Sequence, residues 1–475
     1  MILKQNLKKE LIEILVNNFL KIIIIFILIT SCSFHSNSKF WTEEKKVIEE
    51  VITTNKRVLF EKEKTFQEEL NPQIKLKLKF ESVINDNIGE GNNDGRVNFS
   101  GDLKKISKYK FSKIKYFDQY QPEIIFHNNN LIFFDNKGSL IKFNENSKLI
   151  WKKNYYTKQE KKINPILFFA KNNKILIITD SISKYYAVNI ETGDLIWSKY
   201  NNAPFISDIK TKGDKFFVVD SNNVLSCFSI YDGTLIWSHK SENSTIKSIK
   251  KISIALNKDR IIFNNSVGDV NALDINNGNL IWLTPTADRQ SSSKPFLLKL
   301  SDLVINNGSV LFSNNNNEFY SINIQTGFNN WKQKINSELR PIVVNNLIFT
   351  VTIEGYLVVI DSKSGNIIRI TDLFESFNKD SKIRFFTDKK MNPLYIFDKE
   401  IHSDKTNRPK FKPTGFIVGK DNIYLSTDHG RLFIFDLVSG NTQSILKIDN
   451  TKISRPIVLN NNLFITKNNS IIKLN

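Results

Sequence analysis

Few residues in this chain could do chemistry. It holds five histidines, His35, His127, His239, His402 and His429, and two cysteines, Cys32 and Cys227. The histidines are far apart and none shows metal-ligand spacing. There is no Gly-x-Ser-x-Gly elbow, no Gly-x-Gly-x-x-Gly and no P-loop. Carboxylates are abundant, but Asp274, Asp361 and Asp436 each open an Asp-x-x-x-Gly turn, where an Asp side chain is used up on backbone N–H groups. His429, within Asp428-His429-Gly430, reads as a turn residue rather than a base. These residues predict no catalytic, cofactor-binding or metal site, although loops distant in sequence could still assemble one.

The elements that would position any site form a repeat. Arg260–Leu283, RIIFNNSVGDVNALDINNGNLIWL, recurs with small edits before and after itself. Ile261–Phe263 favours β-structure, Gly268 ends a polar turn, and Val270–Asp274 returns. Gly278 then takes positive φ at no steric cost, and Leu280, Ile281 and Trp282 begin a third strand. A fourth strand precedes these three. Pro122, Pro165, Pro204, Pro295, Pro341 and Pro456 each lead an apolar run, and proline is tolerated at a strand's first residue.

Gly193, Gly233, Gly278 and Gly327 stand four residues before Trp197, Trp237, Trp282 and Trp331, and these tryptophans are 40 to 49 residues apart. The turns at Gly365 and Gly440 are followed by Arg369 and Ser444 in place of the ring. A period of roughly 40 to 45 residues with four short strands per unit is that of a propeller blade. Seven full units run from about Pro122 to Lys447, and an eighth stops before its fourth strand. Tyr109–Phe117, YKFSKIKYF, alternates apolar and basic residues and is expected to supply that strand. The fold expected is all-β, an eight-bladed β-propeller whose ring is closed by N- and C-terminal strands, leaving no open edge at the seam. Each tryptophan is expected to pack between neighbouring blades.

Residues 1–31 read as a lipoprotein signal peptide. Lys4, Lys8, Lys9 and Lys21 precede Ile22–Ile29, an apolar run too short to span a bilayer. Ile29-Thr30-Ser31-Cys32 resembles a bacterial lipobox, which makes Cys32 the lipidated residue, and Ser33 after it favours the outer membrane. Cys227 is then unpaired and reads as a small buried hydrophobe. Residues 32–106 read as a tether: Thr42–Glu69 as a solvated helix or disordered stretch, Ile74–Phe80 as an edge strand, and 85–98 as a linker. The propeller is placed at 107–475 with an insertion at about 372–412, where Phe385, Phe386, Tyr395 and Phe397 sit amid charges. Long loops of this kind are candidates for partner contact.

The chain carries 67 Lys and Arg against 48 Asp and Glu, a net charge of +19. Such an excess ordinarily points to nucleic acid or anionic lipid. The basic residues are scattered over strands and turns, however, and an exported protein does not meet DNA. No nucleic-acid partner is expected.

The core Asp/Asn-x-x-Thr/Ser/Asn-Gly-x-Leu-Ile-Trp, with hairpin glycines Gly268, Gly355 and Gly430, resembles the repeat of pyrroloquinoline-quinone (PQQ)-type, or quinoprotein-like, propellers over roughly residues 107–475. It lacks the Trp-Asp ending of WD40 blades and the paired glycines of kelch. Quinoprotein dehydrogenases of that superfamily hold a quinone and calcium on the axis, commonly beside adjacent cysteines. This chain has no adjacent cysteines and no recognisable calcium constellation. In its lipobox, length, blade number and lack of catalytic residues it resembles the other branch, the BamB lipoprotein family of the outer-membrane β-barrel assembly machinery. That resemblance implies a non-enzymatic scaffold without cofactor. The scaffold would be lipid-anchored at the periplasmic face of a Gram-negative outer membrane, contacting the periplasmic domains of the central β-barrel subunit and serving nascent outer-membrane proteins. It implies contact through loops between middle blades, here Asn243–Lys251 and Thr284–Gln290, and within them Ile246, Ile249, Lys250, Asp288 and Arg289. Two alternatives stay open: a PQQ-dependent dehydrogenase, marked by a cofactor and calcium site, and a cell-envelope polysaccharide-binding propeller, marked by exposed aromatics on one face.

Overall fold

The computed structural model of the protein describes residues 69–78, 96–97, 99–242, 250–286, 298–375, 385–386 and 411–475. They form eight antiparallel β-sheets, seven of four strands and one of five, each a blade. Among the described residues, helix is limited to two short pieces, Phe117–Tyr120 and Lys158–Ile163, and the single residue Glu375. None is long and apolar enough to cross a membrane.

The fourth blade shows why the repeat folds as it does. Its strands run Ile254–Leu256, Arg260–Asn264, Asp269–Asp274 and Leu280–Pro285 from the inside outward. Asn265 Oδ1 accepts from the backbone of Val267, Gly268 and Asp269, which ties the middle hairpin. Asp274 Oδ1 accepts from Asn276 and Asn277 N–H, and Gly278 follows at φ +75°. A bulge between Ala272 and Leu273 then brings Trp282 opposite Ala272. The other blades repeat this order.

The hydrophobic core lies between blades rather than within one sheet. One cluster joins Phe217, Val219 and Cys227 of blade 3 to Ile254, Ile261 and Phe263 of blade 4, and Cys227 is fully buried there. The tryptophans seal the outer end of each such interface. Trp151, Trp197, Trp237, Trp282 and Trp331 lie against Gly193, Gly233, Gly278, Gly327 and Gly365 of the next blade's turn, where a Cβ would collide with the ring. Trp197 Nε1 donates to Ile230 O at 2.9 Å and Trp282 Nε1 to Ile324 O at 2.9 Å, which pins the rings to the neighbouring blade.

Between blades 6 and 7 the ring is replaced by Arg369, which is fully buried beside Gly440. Its guanidinium donates to the carbonyls of Ile74 (3.1 Å) and Val438. Residues 69–78 lie along this seam. Leu70 pairs with Ile370, Leu76 N–H reaches Val438 O, and Leu76 is buried while Lys75 and Lys77 face out. The alternation at Ile74–Leu78 therefore gives no strand. It lays one leucine into a gap between blades.

The ring closes with a strand from the N-terminal side. Lys105–Lys110 pairs with Ser470–Leu474, Tyr109 opposite Ile471, completing blade 8. This is the closure foreseen, but the strand lies N-terminal to most of Tyr109–Phe117. Beyond Lys110 the partner chain turns at Asn468 and Asn469, so Phe111 and Ile114 bond to that turn and Phe117 enters a helix. Of the insertion expected at about 372–412, the stretches 376–384 and 387–410 lie outside the described residues. Phe385–Phe386 forms a fifth, parallel strand on the outer edge of blade 7.

Candidate functional site

Each connection between blades runs from an outer strand to the start of the next inner strand, so all inner strands begin on one face near the axis. Four residues before the last residue bonded across the first hairpin of each blade stand, in turn, Glu123, Phe168, Asp208, Ser253, Asp302, Arg340, Gly415 and Arg455. Five of the eight are charged, and Lys251 joins them from just before Ser253.

These charges meet across the ring. Arg340 Nε donates to Asp302 Oδ2 at 2.7 Å, and Nη2 reaches Glu123 Oε1 at 3.4 Å, linking blades 5, 6 and 1. Lys251 Nζ lies 2.7 Å from Asp208 Oδ1. Lys250 Nζ donates to Glu338 O at 2.6 Å, and Lys299 lies 3.5 Å from the Glu338 carboxylate. Burial alone would raise the Asp302 carboxyl, but Arg340, Lys250 and Lys251 outweigh it and hold Asp302 far below the usual carboxylate range. Burial acts to lower Arg340 and Lys251, and the carboxylates beside them, Asp302 first for Arg340 and Asp208 first for Lys251, raise both instead. For Lys210 burial wins and its pKa is lowered.

The arrangement does not fit a calcium-dependent quinone site. Asp302 and Glu123 are held by Arg340, Asp208 by Lys251 and Glu338 by Lys299, so among the described residues none of these four carboxylates is left for a dication. Among the described residues no group of three or more His, Cys, Asp or Glu could hold a metal ion. A second concave region, about 590 Å³, opens where the hairpins of blades 1 to 3 meet and is lined by His127, Asn128, Asn172, Glu191, Asp214 and Tyr231. One of its two acids is committed: Glu191 takes the buried Lys142 at 2.5 Å and His127 at 2.7 Å, and these bases lower its pKa.

Of the residues singled out from sequence, Cys32, Ile246, Ile249, Asp288 and Arg289 lie outside the described residues. Lys250 is described and points toward the axis, where its ammonium is bound to Glu338 O. The described residues of both loops and beside them, Ser241–Glu242, Lys250–Lys251 and Thr284–Thr286, lie at the connections between blades 3 and 4 and between blades 4 and 5. Sequence reasoning missed Glu123, Asp208, Lys251, Asp302, Arg340 and Arg455. The one available signal was a charge beside the strand-leading prolines, as in Pro122-Glu123, Arg340-Pro341 and Arg455-Pro456.

The eight sheets form a closed ring of meandering blades, a β-propeller, in which five of the interfaces set a turn glycine against a tryptophan ring. A family model described as outer membrane protein assembly factor BamB matches residues 136–371. Proteins of that name are 25% identical over 179 residues in Legionella pneumophila (36% of this chain, 42% of that one) and 22% over 302 residues in Shewanella oneidensis (58% and 72%). The match thus spans less than half of the Legionella protein. Among solved structures, that of BamB from Moraxella catarrhalis superposes with a TM-score of 0.60 at 12% identity, covering 78% of this chain and 99% of that one. A quinohemoprotein alcohol dehydrogenase from Pseudomonas putida superposes at 0.51 and 8% identity, covering 81% and 78%. These likenesses show the shared fold. Over the matched residues the chain is similar to BamB proteins.

Proposed function

We propose that the protein is a non-enzymatic scaffold of outer-membrane β-barrel assembly, held to the periplasmic face of the outer membrane by a lipid on Cys32. It docks on the periplasmic domains of the central barrel subunit through the loops at 243–251 and 284–290. The observation that carries this reading is the axis. The place where quinoproteins do chemistry is here filled by ion pairs that leave no carboxylate free, in a chain whose relatives are named as assembly factors.

The rim supports a role with nascent barrel strands. The outer strands of blades 1 to 4 expose the pairs Leu149 and Ile150, Leu195 and Ile196, Leu235 and Ile236, and Leu280 and Ile281, each side chain 42–58% accessible. The outer edges of blades 6 and 7 already receive extended segments of this same chain, at Leu70 and at Phe385–Phe386. An unpaired, apolar strand edge is what an extended client segment can add to.

The test is purification of a tagged copy from detergent-solubilised membranes, with mass spectrometry of what accompanies it. Near-equal recovery of the barrel subunit, lost on exchanging residues 243–249 for a Gly/Ser segment, supports the proposal. Recovery of the protein alone, with bound quinone or calcium, overturns it in favour of a dehydrogenase.

A further inference from the structure

The axial cluster holds more base than acid. Lys210, Lys250, Lys251, Lys299, Arg340 and Arg455 stand against Glu123, Asp208, Asp302 and Glu338, six bases to four acids within mutual electrostatic reach. Arg340 takes Asp302 and Glu123, Lys251 takes Asp208, and Lys299 takes Glu338. Lys250 donates to Glu338 O, and among the described residues Arg455 forms no ion pair with a carboxylate. Its Nε donates to Phe416 O at 3.1 Å, and among the described residues its two terminal nitrogens meet no acceptor.

The neighbouring blade is shaped around this arginine. Its axial position is Gly415, where a Cβ would stand 2.5 Å from Arg455 Cβ and 2.8 Å from its Cα. Blade 7 therefore contributes no side chain on the axis, and the Arg455 backbone closes against it. Burial first and the like charge of Arg340 second push the Arg455 pKa down. Two guanidiniums close enough to repel, one without a carboxylate, are relieved by an oxyanion that accepts from both. The net charge of +19 concentrates anions around the molecule.

We propose that the propeller axis binds one small free oxyanion, a phosphate or a polycarboxylate, with Arg455 as its chief ligand and Arg340 beside it. This site is independent of the partner docking proposed above.

The experiment is isothermal titration of the full-length protein in detergent with inorganic phosphate and, separately, with citrate at fixed ionic strength. One site per chain is expected. Arg455→Met weakens it at least tenfold, Arg455→Lys by less, and the exposed control Lys162→Gln leaves it unchanged. Tighter binding of one anion than the other tells a phosphate site from a polycarboxylate site. Absence of saturable binding, equal affinity in wild type and Arg455→Met, or several weak sites reduced by Lys162→Gln overturns the proposal. Should Arg455→Met fail to fold, wild-type thermal unfolding decides: a rise in Tm with phosphate no larger than with chloride of equal ionic strength also overturns it.

Discussion

Blade 3 offers a matched pair of glycines that isolates the energetic worth of the tryptophan seam. Gly213 and Gly233 both sit in turns of this blade, at φ +60° and +66°. A Cβ on Gly213 meets nothing within 4 Å, whereas one on Gly233 would stand 2.6 Å from the Trp197 ring. Forcing alanine into the left-handed region costs about 1 kcal/mol at either position. The collision at Gly233 adds about 1–3 kcal/mol of overpacking, because Trp197 cannot retreat while Nε1 is bonded to Ile230 O. Gly213→Ala should therefore cost about 1 kcal/mol and Gly233→Ala about 3, with Trp197→Leu recovering most of the added cost in the double variant. Urea unfolding followed by circular dichroism, with slopes compared to confirm like transitions, measures all three. If Gly233→Ala costs no more than Gly213→Ala, the ring does not pack on this turn and the account of the seam is wrong.

Further outcomes follow from buried groups. Asp180 accepts from Tyr156 Oη at 2.6 Å, yet burial raises its pKa from 3.8 to about 6. Because the folded value lies above the unfolded one, this group's contribution is fully present below about pH 4 and lost as pH rises through about 6. The change is on the order of 3 kcal/mol, and Asp180→Asn should flatten that part of a stability-versus-pH curve. Arg340→Met leaves Asp302 and Glu123 without their base and should cost about 3 kcal/mol, part of which Asp302→Asn restores. Strict additivity in a denaturant double-mutant cycle would show that the axial pair is not coupled. The Cys227 thiol, pushed up to about 12 by burial, should resist iodoacetamide in the native protein at pH 8 and react in urea, as read by peptide mass spectrometry.

The fold was legible because its packing rule is local and repeated. Four residues separate a turn glycine from a ring in four successive blades, and both members do their work against a neighbouring blade, so the pattern survives in one dimension. It weakens where the structure departs from the rule. Pro204 predicts an inner strand beginning there, but the strand of blade 3 is Lys210–Lys212, and Phe205 and Ser207 make only isolated bridges upstream of it. Arg369 was visible as a missing ring. What fills the gap was not, since Ile74 and Leu76 come from nearly three hundred residues away. The axial site was illegible for a related reason. It draws one residue from each blade, of types as different as Phe168, Asp302 and Gly415, and only ring closure brings Glu123 to Arg340 across 217 positions.

The N-terminal side of the propeller is fastened to the ring three times in sequence order. Residues 69–78 hold to blade 6 through Ile370, Val97 holds to blade 7 through Val418, and Lys105–Lys110 forms the edge of blade 8. Any pull transmitted along the chain from the N-terminal side reaches these attachments one after another. The clasp on blade 6 must tear before Val97 bears load, and Val97 before the closing strand does. The fastening works as strain relief on a cable, so tension is spent first on the clasp while the joint that keeps the ring shut bears none.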